Sequence, residues 1–146
     1  MKRLTVTIPG IPVPQGSKRH VGNGVMIEAN RRLAPWRADA IAAIQQAMGD
    51  GWTPLDVPVS MDVEFLFPRP KSHYGRRNGA AYLKATAPGY KPSAPDLDKL
   101  LRATCDALTQ AGAWRDDALL ADVIACKQYD DGPPRTLLTL APLEAS

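Results

Sequence analysis

The stretch from Lys91 to Asp117 limits the fold more than any other part of the chain. It holds five of the 15 Asp and Glu residues, and they are not evenly spread. Asp96 and Asp98 flank Leu97 at a loop-to-helix junction, and Asp116-Asp117 come just after the helix ends. Between them, Asp98 to Ala111 reads as a helix. Leu97, Leu101, Leu108 and Ala111 recur at spacings of four, seven and three, with Cys105 beside them. One face is therefore apolar and must be covered. Gly112 marks the end. If the backbone at Leu97 is extended, the Asp96 and Asp98 carboxylates share one side and the leucine points into the core. Asp98 also suits the N-cap of the helix, a role that accounts for Asp98 alone but not for Asp96.

The cover comes from strands and one more helix. Leu4 to Ile8 alternates with period two and stops at Pro9, so the N-terminal segment reads as a strand, not as a signal peptide. An irregular loop rich in proline and glycine follows, carrying Lys18, Arg19 and His20. Val25 to Glu28 reads as a short strand, and Gly22-Asn23-Gly24 as a hairpin turn. From Pro35 to Met48, Trp36, Ala40, Ile41, Ile44, Ala47 and Met48 fall on one helical stripe. Trp36 there is a core residue rather than a stacking platform. In Pro58 to Phe67, Val59, Met61, Val63 and Phe65 face one way, and Ser60, Asp62 and Glu64 the other. Leu119 to Tyr129 and Arg135 to Leu140 are two further strands, joined by a turn at residues 130–134. The order β-α-β-α-β-β predicts a single α/β domain over residues 1–146, a small mixed sheet with two main helices. No apolar run reaches the roughly twenty residues of a membrane helix. Cys105 and Cys126 lie inside regular elements and read as small hydrophobes, which suits a reducing cytosol. His20 and His73 have no zinc-like spacing to either.

The net charge is only +3, but it is unevenly placed. From Phe65 to Pro95 there is no acid, while Arg69, Lys71, Arg76, Arg77, Lys84 and Lys91 are present, interleaved with Tyr74, Tyr82 and Tyr90. Cations for phosphates and aromatic faces for bases suit a mobile loop that contacts nucleic acid. The plainer reading is a solvated loop. With Lys18 and Arg19, these residues form the expected DNA-binding set.

Clustered carboxylates repel unless a cation occupies them. Magnesium takes hard oxygen ligands and keeps open positions for a phosphate oxygen and a water. Arg102, four residues after Asp98 and four before Asp106, reads either as part of a surface ion-pair ladder or as a fixed cation at the scissile phosphate. Lys99 competes for that role. Asp106 either orients Arg102 or is a plain exposed acid.

The run Asp96-Leu-Asp98, then Asp106-Ala-Leu within the helix, then a short return to Asp116-Asp117, resembles the signature of the RusA-type Holliday-junction resolvases, often encoded by phages or prophages. Ile-Pro-Gly-Ile-Pro-Val-Pro-Gln-Gly-Ser-Lys-Arg near the start, and Pro-Trp36-Arg37 later, are similar to phage members. The resemblance implies a cytoplasmic homodimer dependent on Mg²⁺, with Mn²⁺ as a substitute, that makes paired nicks in four-way DNA junctions. It implies Asp96, Asp98 and Asp117 as metal ligands and Asp116 as a supporting residue. The family often has Asn where this chain has Lys99, and Lys where it has Arg102. Arginine keeps the charge but is a poor proton donor, because its guanidinium stays protonated. Two other readings stand beside this one: a non-catalytic branched-DNA-binding module, and a metal-dependent phosphohydrolase acting on another nucleic acid or on nucleotides.

Overall fold

A computed structural model describes residues 2–16, 18–20, 26–28 and 31–143, with side chains for all but 18–20 and 26–28. The turn expected at Gly22-Asn23-Gly24 lies outside the described residues. The elements are β1 (Leu4–Pro9), β2 (Lys18–His20), β3 (Met26–Glu28), α1 (Leu33–Met48), β4 (Val59–Phe67), β5 (Tyr74–Arg77), β6 (Ala80–Leu83), α2 (Leu97–Ala111), β7 (Leu120–Tyr129) and β8 (Arg135–Pro142). Short 3-10 turns at Lys71–His73 and Asp117–Leu119 precede β5 and β7.

The main sheet has the order β1-β8-β4-β7. β8 lies antiparallel to both β1 and β4, whereas β4 and β7 run parallel. Parallel neighbours need a crossover, and α2 supplies it. The turn at 130–134 is present, but the strands it joins are not neighbours, because β4 lies between them. The strand alternation explains the choice of face. Val59, Met61, Val63 and Phe65 of β4, Leu4, Val6 and Ile8 of β1, and Leu138 and Leu140 of β8 are all buried against the helices. The opposite face carries Thr5, Thr7, Asp62, Glu64 and Thr139 around a shallow hollow. Glu64 is thus an exposed strand carboxylate, as its register predicts.

α1 buries Leu33, Trp36, Ala40 and Ile44, so Trp36 belongs to the core. α2 begins at Leu97 and buries Leu100, Ala103, Thr104, Cys105, Ala107, Leu108 and Ala111. Leu97 and Leu101 sit at the border of that face, half-buried. Thr104 donates its hydroxyl to Leu100 O at 3.0 Å, which satisfies a buried polar group within the helix. Cys105 and Cys126 are free thiols, buried and half-buried.

The acid-free segment is not a structureless loop. It forms the β5–β6 hairpin, turned at Asn78-Gly79 with both residues at positive φ. Its return pairs Tyr90 with Gln128, so Gly89–Lys91 lines one end of β7. The sequence pattern missed the hairpin because its strands are largely exposed and carry no apolar alternation.

Candidate active site

The N-terminal end of α2 holds the first acidic pair. Asp96 stands at the N-cap position with extended backbone, and its carbonyl accepts the first helical bond from Leu100 N at 3.1 Å. Its side chain makes no capping bond, so the carboxylate is not consumed by the helix. Lys99 Nζ lies 3.7 Å from Asp96 Oδ2. Asp98 is not the cap. It falls in the first turn, where the helix dipole favours a negative charge. The two aspartates are therefore not on one extended segment, and both are exposed.

The second acidic pair is positioned by the way α2 ends. Gly112 adopts φ 84°, Gly112 N bonds Thr109 O at 3.2 Å and Ala113 N bonds Leu108 O at 3.0 Å. This paired arrangement closes the helix C-terminus and suits a residue without Cβ. Trp114, 1% exposed, then anchors the return and donates Nε1 to Thr109 Oγ1 at 2.7 Å. Leu55 clasps the same segment through Leu55 N to Ala113 O at 3.0 Å and Arg115 N to Leu55 O at 2.9 Å. Asp116 and Asp117 emerge from this fixed return. A hydrogen bond that protonated Asp117 donates to the Asp116 carboxylate raises the Asp117 pKa, with slight desolvation and the charges of Asp116 and Asp106 adding to it. Asp117 is thus close enough to Asp106 to feel its charge. The same two acids, Asp117 and Asp106, add to burial in pushing the Cys105 thiol up to about 12.

Asp106 does not orient Arg102. Its partner is Arg37 of α1, with Nη2 3.7 Å from Asp106 Oδ2. Arg37 also donates to Gln15 Oε1, and Gln15 N bonds Lys99 O at 3.0 Å. The Pro-rich loop after β1 is thereby tied to both α1 and the first turns of α2. Arg102 is exposed and, among the described residues, makes no ion pair with Asp98 or Asp106, so the ion-pair ladder is absent.

The acids therefore form two half-sites, one where α2 begins and one on the return that follows it. Asp98 and Asp106 are eight positions apart, about 12 Å along a helix axis. Among the described residues, no three His, Cys, Asp or Glu side chains converge as a group that could hold a metal ion. The expected meeting of Asp96, Asp98 and Asp117 is not preassembled in the single chain. Asp96 and Asp98 sit where α2 starts, while Asp117 lies on the return after its end and neighbours Asp106 and Cys105. The donor chemistry does fit a hard divalent cation: every candidate ligand is a carboxylate, and the charge of Asp116 beside Asp117 is one that a cation would offset.

The basic residues divide in two. Arg69 turns inward, donating Nη1 to Pro88 O at 2.8 Å and lying 5.4 Å over the Tyr129 ring. Lys91 also lies over Tyr129, at 5.4 Å, and donates to Ser93 Oγ at 3.1 Å. His73 packs edge-on against Tyr129, with ring centroids 4.7 Å apart. Arg69 and Lys91 thus brace the fold. Lys71, Arg76, Arg77 and Lys84 are exposed. The side chains of Lys18 and Arg19 lie outside the described residues.

Three residues that the sequence did not single out for a role touch this region: Gln15, Arg37 and Lys127. Lys127 Nζ donates to Ser93 O and Pro95 O, both at 2.9 Å. Its signal was present in the pattern. Period two puts Lys127 on the same face as Ala125 and Tyr129, the covered face of the sheet.

Comparison with known proteins matches nearly the whole chain. The family model described as Endodeoxyribonuclease RusA matches residues 9–141, from the end of β1 into β8. The crossover junction endodeoxyribonuclease RusA of Aquifex aeolicus (strain VF5) is 20% identical over 146 residues, covering 99% of this chain and 96% of that protein. Since the family match takes in both acidic half-sites and the basic hairpin between β4 and α2, the chain belongs to the endodeoxyribonuclease RusA family.

Proposed function

We propose that this chain is a Mg²⁺-dependent, structure-selective endodeoxyribonuclease that resolves four-way DNA junctions by paired symmetric nicks and works as a homodimer. Family membership supports the nuclease class, and the Aquifex aeolicus relative is named for crossover-junction cleavage. The observation that carries the metal reading is the all-carboxylate donor set: Asp96 at the N-cap position of α2 with its side chain not used for capping, Asp98 in the first turn, and the exposed Asp116-Asp117 pair on the return. Carboxylates gathered in one region favour a bound cation.

Asp96 and Asp98 from one half-site and Asp117 from the other would hold the ion, which would draw the two half-sites together, with Asp116 supporting Asp117. Bound there, a divalent cation lowers the pKa of a coordinated water and offsets charge on the phosphate. The chain's own residues do the rest. Lys99, beside Asp96, and Arg102, one helical turn after Asp98, place positive charge where the leaving oxygen develops its own. Arg102 gives charge but no proton, so Lys99 is the residue able to donate one. Lys71, Arg76, Arg77 and Lys84 neutralise backbone phosphates without reading sequence.

A four-way junction has approximate two-fold symmetry, and two equivalent nicks need two equivalent sites. The first half of β7 offers an exposed sheet edge: Val123 is 39% and Ile124 70% exposed. That edge is the candidate surface for the second copy.

The test is substitution of Asp96, Asp98 or Asp117 by Asn. Each variant is expected to lose more cleavage than the roughly 10- to 100-fold typical of residues behind a metal ligand, with junction binding retained. Normal cutting by Asp98→Asn at matched folding would remove the assignment.

A further inference from the structure

We infer that Lys127 is a positioning residue for the acidic site, fixing the peptide that delivers Asp96; the inference rests on the metal-dependent reading above. Lys127 lies near the end of β7, in register with Phe65 of β4, so its side chain leaves the sheet on the helix-covered face. An ammonium group has three donors and no acceptor. Two of them are used on carbonyls of one turn, Ser93 O and Pro95 O, each at 2.9 Å. The Pro95 carbonyl belongs to the peptide that leads directly into Asp96. Backbone contact is made at the same place, since Lys91 N bonds Lys127 O at 3.0 Å.

This turn depends on outside support for a reason visible in its residues. Pro92 and Pro95 have no N–H, so Lys91 to Pro95 has few backbone donors with which to hold itself. Lys127 supplies donors that the turn lacks. The strand it sits on begins directly after the 3-10 turn that starts at Asp117. One strand therefore follows Asp117 at its start and grips the Asp96 segment near its end. Lys127 touches neither the candidate ligands nor, on this account, the substrate. It acts by restricting where Asp96 can be.

The experiment compares wild type with Lys127→Met and Lys127→Arg. Three quantities are read: Mn²⁺ binding to the DNA-free protein by electron paramagnetic resonance, junction binding without metal, and the Mg²⁺ concentration for half-maximal cleavage. Lys127→Met is expected to weaken Mn²⁺ binding and raise the Mg²⁺ requirement by about 10- to 100-fold, as for residues behind metal ligands, while metal-free junction binding is unchanged. Lys127→Arg, which also reaches two carbonyls, is expected to recover most of the loss. Unchanged Mn²⁺ affinity in Lys127→Met overturns the inference and leaves the nuclease reading standing. A wild type that binds no Mn²⁺ overturns the nuclease reading, and this inference with it. Should Lys127→Met not fold, Lys127→Gln, with a shorter side chain and an uncharged donor, is read by the same criteria.

Discussion

Asp96 occupies a helix-capping position without capping the helix, and that leaves its carboxylate available for another partner. Asp130 is the contrasting case, an acid fully engaged by its surroundings. It accepts Arg135 Nη1 at 2.9 Å and Gly132 N at 2.9 Å. The hydrogen bond from Arg135, then that from Gly132, hold its pKa below the ordinary carboxylate value. The sign follows from linkage. A carboxyl with a lowered folded pKa contributes stability that is present above its unfolded pKa, about 3.9, and is lost as pH falls through the folded value. Carbon-13 titration of the Asp130 carboxyl should give a midpoint below that of a free aspartate. Acidification should cost wild type more in Tm than it costs Asp130→Asn. At this scale the sequence was informative about residue type and poor about partners. The two acidic pairs are plain in the chain, as is their suitability for a hard cation. That Asp106 meets Arg37 rather than Arg102, and that Lys127 meets Ser93 and Pro95, depends on contacts between distant segments, which no local pattern encodes.

The elements were legible wherever one face had to be buried. β1, β4 and both helices follow from period-two or helical apolar spacing, because burial enforces that spacing. β5 and β6 left no such trace, although Asn78-Gly79 is a recognised hairpin signal. The pairing of β7 with β4, and the insertion of β4 between β7 and β8, are decided by the crossover through α2 and not by neighbours in sequence. Two predictions belong here. Trp114 locks the return from α2 to Asp116-Asp117, and removing a buried tryptophan costs about 3–5 kcal/mol. Chemical denaturation of Trp114→Ala should show a loss of that size, and a loss under about 1 kcal/mol would contradict the anchoring role. The hairpin supplies Arg76 and Arg77, exposed and next to one another in sequence. Each phosphate contact removed should lower the salt slope of binding by roughly one, uniformly across DNA sequences. Arg76→Ala with Arg77→Ala, measured by fluorescence anisotropy over a range of salt, should therefore flatten the slope by about two.

On the scale of the whole molecule, charge is sorted rather than large. A net +3 conceals an acid-free stretch from Phe65 to Pro95 followed by a carboxylate-rich remainder. The fold connects the two, since the basic hairpin and α2 lie on the same crossover between β4 and β7. The polyanion attraction and cation binding proposed for this chain thus both fall to one continuous segment. The most direct test of the central claim uses a labelled mobile four-way junction and a linear duplex, each incubated with the protein with and without Mg²⁺. Paired, symmetric nicks on the junction, only when Mg²⁺ is present, are predicted. Cutting that needs no divalent ion, or equal cutting of the linear duplex, would contradict the account.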